Sequence, residues 1–207
     1  MTITSKPVIT YFETPYLGLG GPIFCLLSDA GIEFEKRTVT HDAWPALKKE
    51  LVASGKSSHG TVPFMELEGR VYVHQLPILR FLARRLGKYE GSDPESVYFV
   101  DSFGDLLADL HQAWGAAYFG KDNVVQTFTE EHVPRYRTSI NSYLAKHDGP
   151  YLLGDEPTYA DFKLLALLHD IKDLSDGSPH MSQFMDAMQA RPGVSKYMST
   201  LATPSNQ

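Results

Sequence analysis

The chain has 207 residues, 43% hydrophobic and 21% charged, with a formal net charge of −6. These values argue against disordered, collagen-like and coiled-coil classes, and the acidic balance argues against nucleic acid or an anionic membrane as partner. One cysteine allows no internal disulfide, the Met1–Pro7 start has no signal-peptide pattern, and no apolar run approaches the roughly 20 residues of a membrane span, so a cytoplasmic location is expected.

Residues 8–12 read as a strand, and Pro22 to Ala30 as a helix with proline in its first turn and Gly31 just past its end. Glu33 to Val39 reads as a second strand, completing a β-α-β unit. A segment around Trp44 and a long polar loop, Ala53 to His59, come next. Thr61-Val62-Pro63 then leads into a short strand, Glu68-Gly69 turns the chain back, and a helix pattern runs through Ile78-Leu79-Arg80-Phe81-Leu82. A strand entered through proline favours a cis peptide, which leaves the N–H and C=O of Val62 open to an extended ligand. The donors of the following helix N-terminus attract a carboxylate. A strand edge beside an anion hole describes a peptide site.

Leu86 to Pro94 combines glycines, a proline and a helix-cap sequence, which sets a linker at residues 87–94 between domains 1–86 and 95–207. Beyond it the pattern is helical. Glu95 to Phe119 has apolar residues at helical spacing, Thr127 and Glu130 suggest a capping box, and Thr158 with Asp161 opens an apolar helix through Leu168. Arg191-Pro192-Gly193 separates the last helices. There are no repeats, no metal-ligand spacing among the eight histidines, and no nucleotide-binding loop.

Ile9-Thr10-Tyr11-Phe12, Asp42 to Lys48, Gly60 to Gln75 and Thr158-Tyr159-Ala160-Asp161-Phe162, in this order and spacing, resemble the cytosolic glutathione transferases, most closely the sigma class. The resemblance spans nearly the whole chain. It implies an α/β thioredoxin-like domain followed by an all-α domain, usually as a homodimer, with glutathione as co-substrate and an apolar electrophile as second substrate. Conjugation is the expected activity; the alternatives are reversible thiolate addition that isomerises a conjugated double bond, and glutathione binding without turnover.

The resemblance also implies site residues. Tyr11 at the end of the first strand would donate to the glutathione sulfur, which helps because a thiol of pKa about 8.5 is only slightly ionised at neutral pH; Tyr16 is the second candidate. The first loop, Glu13 to Pro22, is about two residues longer than the usual pattern and lacks its arginine. Trp44 and Lys48 match residues that hold the glycine end, with Lys49 and Lys56 as alternative cations. Val62 would supply the backbone pair, with Thr61 and Pro63 beside it at the glutathione site. His74 and Gln75 stand where the family has Gln-Ser at the γ-glutamyl site. Asp105, or else Asp101, would reach the γ-glutamyl ammonium across the dimer. Tyr16, Leu17, His111, Trp114, Tyr118 and Phe119 are the residues expected around the electrophile, whereas Cys25, inside an apolar helix, reads as structural.

Overall fold

The β-branched and aromatic residues of Val8–Phe12 form strand β1, and the apolar run that follows the glycine-rich loop forms α1, Gly21–Asp29. The structure is a computed structural model that describes residues 3–201. β2 (Glu35–Val39), β3 (Phe64–Leu67) and β4 (Arg70–Val73) complete a four-stranded sheet in the order β2-β1-β3-β4. β1 runs parallel to β2 and antiparallel to β3, with Tyr11 opposite Thr38 and Thr10 opposite Phe64. Between β2 and β3 lies α2 (Trp44–Ala53), and α3 (Gln75–Leu86) follows β4 and ends at Gly87, whose φ of +64° suits a left-handed cap. This is the expected thioredoxin-like arrangement. Its core includes Ile9, Ile23, Phe24, Leu27, Met65, Ile78 and Leu82.

The remaining helices are α4 (Pro94–Tyr118), α5 (Asp122–Thr127), α6 (Val133–Leu144), α7 (Tyr159–Asp170), α8 (Pro179–Ala190) and α9 (Pro192–Met198). α4 starts from a capping box in which Asp93 accepts from the Ser96 N–H at 2.9 Å and the Ser96 hydroxyl accepts from the Asp93 N–H at 3.1 Å. α7 is rich in apolar residues and almost wholly buried. Asp161 secures its start by accepting from the Thr158 N–H at 2.6 Å, the Thr158 hydroxyl at 2.7 Å and the Leu152 N–H at 2.9 Å.

Two expectations change. Thr127 and Glu130 form no capping box: Thr127 ends α5, a π-helical turn spans Phe128–His132, and Glu130 accepts instead from Gln126 at 3.1 Å. Pro134, which has no N–H to donate, sits in the first turn of α6, where that loss is harmless, so the helical path continues through the widened turn. The second change concerns the C-terminal end. By packing, residues through Lys88 and those from Arg191 onward make one compact unit, and Tyr89–Ala190 make the other, so α9 groups with α1 and the sheet and not with the other helices. The reason is a close seat: Arg191 holds Asp29 with two hydrogen bonds of 2.7 Å, and Gly193 lies so near the Ser28 carbonyl that a Cβ would meet it at 2.2 Å.

Candidate active site

In the first unit, β1 delivers Tyr11 to the loop between Glu13 and Gly20. The loop folds onto that side chain. A Cβ on Gly18 would meet the Tyr11 hydroxyl oxygen at 2.6 Å, and one on Gly20 would meet the ring at 2.6 Å. Gly18 also has a φ of +53°. Glycine is therefore required at both positions, for space at each and for conformation at the first. The close approach lets the Leu19 N–H donate to the Tyr11 hydroxyl at 2.9 Å. Tyr16 is half-buried in the same loop, its N–H donating to Thr14 Oγ1 at 3.2 Å. Leu17 is only 1% exposed and packs against Gly21, so it belongs to the core and lines no open pocket, contrary to expectation.

The segment before β3 presents the expected edge. The Val62–Pro63 peptide is cis, and the hydroxyl of Thr61 is buried without a hydrogen-bond partner among the described residues. An orphaned buried hydroxyl in a half-buried segment suits a site where a polar, extended ligand lies. Gly60, with a φ of +59°, sits against the stem of Lys48: a Cβ there would meet Lys48 Cγ at 2.6 Å. The loop that leads to Gly60 is pinned by Ser57, which donates its N–H to Leu51 at 3.1 Å and accepts from the Gly60 N–H at 2.9 Å. Lys48 is thus held beside the chain entering Thr61-Val62. Trp44, one turn earlier on α2, is half-buried with its ring edge-on to Phe12 at 5.8 Å.

His74 caps α3 with φ 67° and ψ 129°, on the side of φ that side chains other than glycine rarely adopt. It is exposed. Gln75 follows it into the helix and is 5% exposed, its amide nitrogen donating to the Leu19 carbonyl at 2.8 Å. That amide group is thereby engaged with the first loop, a contact the sequence did not suggest.

In the second unit, Asp101 and Asp105 lie one turn apart on α4 and line a groove of about 680 Å³ together with Asp109, Tyr98 and Tyr143. Asp101 accepts a hydrogen bond from the buried Tyr159 hydroxyl, whereas Asp105 is exposed. Behind Asp105 lies Lys163 of α7, 1% exposed, whose pKa burial lowers to about 7 against the pull of the Asp105 charge. Burial, aided by the Lys163 charge, lowers His111 to about 3. From His111 the aromatic residues step along α4: His111 to Trp114 at 5.3 Å, Trp114 to Tyr118 at 5.9 Å, and Tyr118 to Phe119 at 4.9 Å. Tyr118 and Phe119 are 54% and 81% exposed, so the ladder ends on the surface and not in the core. Cys25 is buried, which pushes its thiol well above the ordinary range and removes it as a nucleophile.

Comparison with known proteins points to glutathione transferases. The model of the glutathione S-transferase C-terminal domain matches residues 108–200. Glutathione S-transferase P of Caenorhabditis elegans is 28% identical over 204 residues, covering 94% of this chain and 92% of that protein. Glutathione S-transferase 1 of Ascaris suum is 27% identical over 203 residues, covering 92% and 94%. The chain is thus similar to cytosolic glutathione transferases over nearly its whole length. Among solved structures, prostaglandin synthase D of Nilaparvata lugens superposes on this chain with a TM-score of 0.84 at 22% identity, covering 97% of this chain and all of that one. At that identity the likeness speaks for the fold alone.

The backbone of Leu19 and the buried Lys163 are features of the site that the sequence did not suggest. For Leu19 there was a signal, the run Gly18-Leu19-Gly20-Gly21, which permits close backbone approach. Among the described residues no group of three or more His, Cys, Asp or Glu side chains is placed to hold a metal ion, and no helix is long and apolar enough to cross a membrane.

Proposed function

We propose that this protein activates glutathione as a thiolate and adds it to an apolar electrophile. The observation that carries this reading is the hydrogen bond from the Leu19 N–H to the Tyr11 hydroxyl. A phenol oxygen that accepts a hydrogen bond becomes a stronger donor through its own proton, and a stronger donor stabilises a bound thiolate. The loop lacks the arginine of related proteins, and a backbone N–H does the polarising instead. The tripeptide would lie along Val62, with Thr61 beside it. Its glycine carboxylate would meet Lys48 next to Trp44, and its γ-glutamyl carboxylate the N-terminus of α3, where unpaired N–H groups and the helix dipole favour an anion.

In a homodimer, the γ-glutamyl ammonium would meet Asp105 of the partner subunit. Asp105 is the better candidate of the two aspartates because it is exposed, whereas Asp101 is half-buried. The exposed aromatic ladder of α4 is the apolar surface we assign to the electrophile, with the cytoplasm as the place of action. Once the thiolate forms a bond to the electrophilic carbon, the electron pair it displaces leaves with a departing group or moves onto a conjugated acceptor and is protonated.

The test is Tyr11→Phe. The bound thiol's pKa, read from thiolate absorbance, should rise, and conjugation at neutral pH should fall by roughly 10²–10³, the range for losing one preorganised donor. Glutathione should be consumed in step with product. An unchanged thiol titration would remove Tyr11 from the role, and a rearranged substrate with glutathione unspent would replace conjugation by isomerisation.

A further inference from the structure

Leu19 is held from both sides. Its N–H donates to the Tyr11 hydroxyl at 2.9 Å, and its carbonyl accepts from Gln75 Nε2 at 2.8 Å, across 56 positions of sequence. These two bonds fix the peptide planes on either side of the Leu19 Cα, since each peptide unit is rigid and only φ and ψ of that residue can turn. Backbone bonds hold the stretch on either side of Leu19, the Gly21 N–H donating to the Leu17 carbonyl at 2.7 Å and the Ile23 N–H to the Gly20 carbonyl at 3.0 Å, but the Leu19 peptide groups themselves are directed by Tyr11 and Gln75. Gly18 and Gly20 flank Leu19 without side chains, and glycine has the widest choice of backbone conformations of any residue. Gln75, by contrast, is anchored: it is the first residue of a twelve-residue helix, it is buried, and the next turn places Ile78 and Leu79 in the core.

We propose that Gln75 is a positioning residue for the Tyr11 hydroxyl, holding the Leu19 backbone so that its N–H stays aimed at the phenol oxygen. The inference rests on the reading of Tyr11 as thiol donor and deepens it. It gives Gln75 a task different from contact with the γ-glutamyl group, and it joins two parts of the candidate site, the α3 N-terminus and the thiol donor, through one loop residue. A ligand carboxylate that orders the α3 N-terminus would thereby also order the group that ionises the thiol.

The experiment uses the full-length protein and two variants that remove the amide donor, Gln75→Met, close in size, and Gln75→Ala. Each is first checked for native circular dichroism, and the Met variant keeps the test available if the smaller side chain leaves the fold unstable. The bound thiol's pKa should rise by about half a unit to one unit, so that kcat near pH 6 falls roughly 3- to 10-fold and recovers at alkaline pH. The KM for glutathione should change little. In a Tyr11→Phe background the same substitutions should produce no further shift in the thiol titration, because the bond they serve is gone. A raised KM at every pH with an unshifted thiol pKa would overturn the proposal in favour of direct γ-glutamyl contact, and an equal shift in both backgrounds would overturn it in favour of a general loosening. Should Tyr11→Phe alone leave the titration unmoved, the donor assignment itself fails; should it move while the Gln75 variants do not, only the positioning role fails.

Discussion

Lys163 sits in α7, a helix buried along almost its whole length, and is itself 1% exposed, where burial draws its pKa from the ordinary 10.5 to about 7. Below pH 7 both the folded and the unfolded chain hold the proton, and the folded state bears the whole cost of a buried charge. From pH 7 to 10.5 the unfolded chain keeps a proton that the folded chain has given up, so this group makes stability rise with pH across that window. At about 1.4 kcal/mol per tenfold change, the two pKa values set a ceiling of about 5 kcal/mol, and relaxation around the ammonium leaves about 1–3 kcal/mol as the expected size. Lys163→Met fills a similar volume without the charge, and Asp105, the exposed carboxylate that loses its neighbour, returns to water. The variant should therefore be more stable by about 1–3 kcal/mol at pH 6, with the gain shrinking towards zero by about pH 10. Urea unfolding of both proteins at intervals between pH 6 and 10 measures this, since other titrating groups cancel in the difference. A difference that stays constant with pH would refute the reasoning, as would a variant less stable at pH 6.

Asp161→Ala should cost about 3–5 kcal/mol in chemical unfolding, because it strands the buried N–H groups of Thr158 and Leu152 at about 1–3 kcal/mol each; a loss below about 1 kcal/mol would show that other groups can replace the carboxylate. Gly193→Ala should destabilise by about 1–3 kcal/mol, since the new Cβ would stand 2.2 Å from a backbone oxygen that a side-chain rotation cannot move. Faster amide hydrogen exchange confined to α9 and α1 is the signature to look for, and unaltered exchange would contradict the seat described above. Lys48→Ala should weaken glutathione binding about 10- to 100-fold by calorimetry, the loss of a charged hydrogen bond, while unchanged affinity would pass the role to Lys49 or Lys56.

Much of the fold could be read from the sequence because each element announces itself locally. Pro22 and Gly31 bracket α1, Glu68-Gly69 turns β3 into β4, and Ser92-Asp93-Pro94 marks the start of α4. What could not be read depends on partners distant in the chain. Nothing near Thr127 says that two helical stretches will run through a π-turn, and nothing in Arg191-Pro192-Gly193 says that the helix it starts will dock on α1. The candidate site divides in the same way. Side chains such as Tyr11, Trp44 and Lys48 stand out as letters, but the Leu19 N–H is a group every residue except proline possesses, so only folding reveals its target. Lys163 is hidden for the opposite reason: a lysine in a helix is usually on a solvated face, and only the burial of every side of α7 makes this one unusual.

The return of α9 to α1 also bears on how the molecule is made. Asp29 and Arg191 are 162 residues apart in the chain, and Val194 and Tyr197, which follow Arg191 in α9, are buried, with the Tyr197 ring 5.5 Å from that of Phe24. At about 5–20 residues per second, a ribosome needs roughly 8–30 s to pass from one to the other. Throughout that interval the sheet and its helices can pair with one another, but the flank of α1 that α9 will cover has no native neighbour. The first half of the protein to be synthesised is therefore among the last to be completed, and its apolar flank stays uncovered while the chain is still growing.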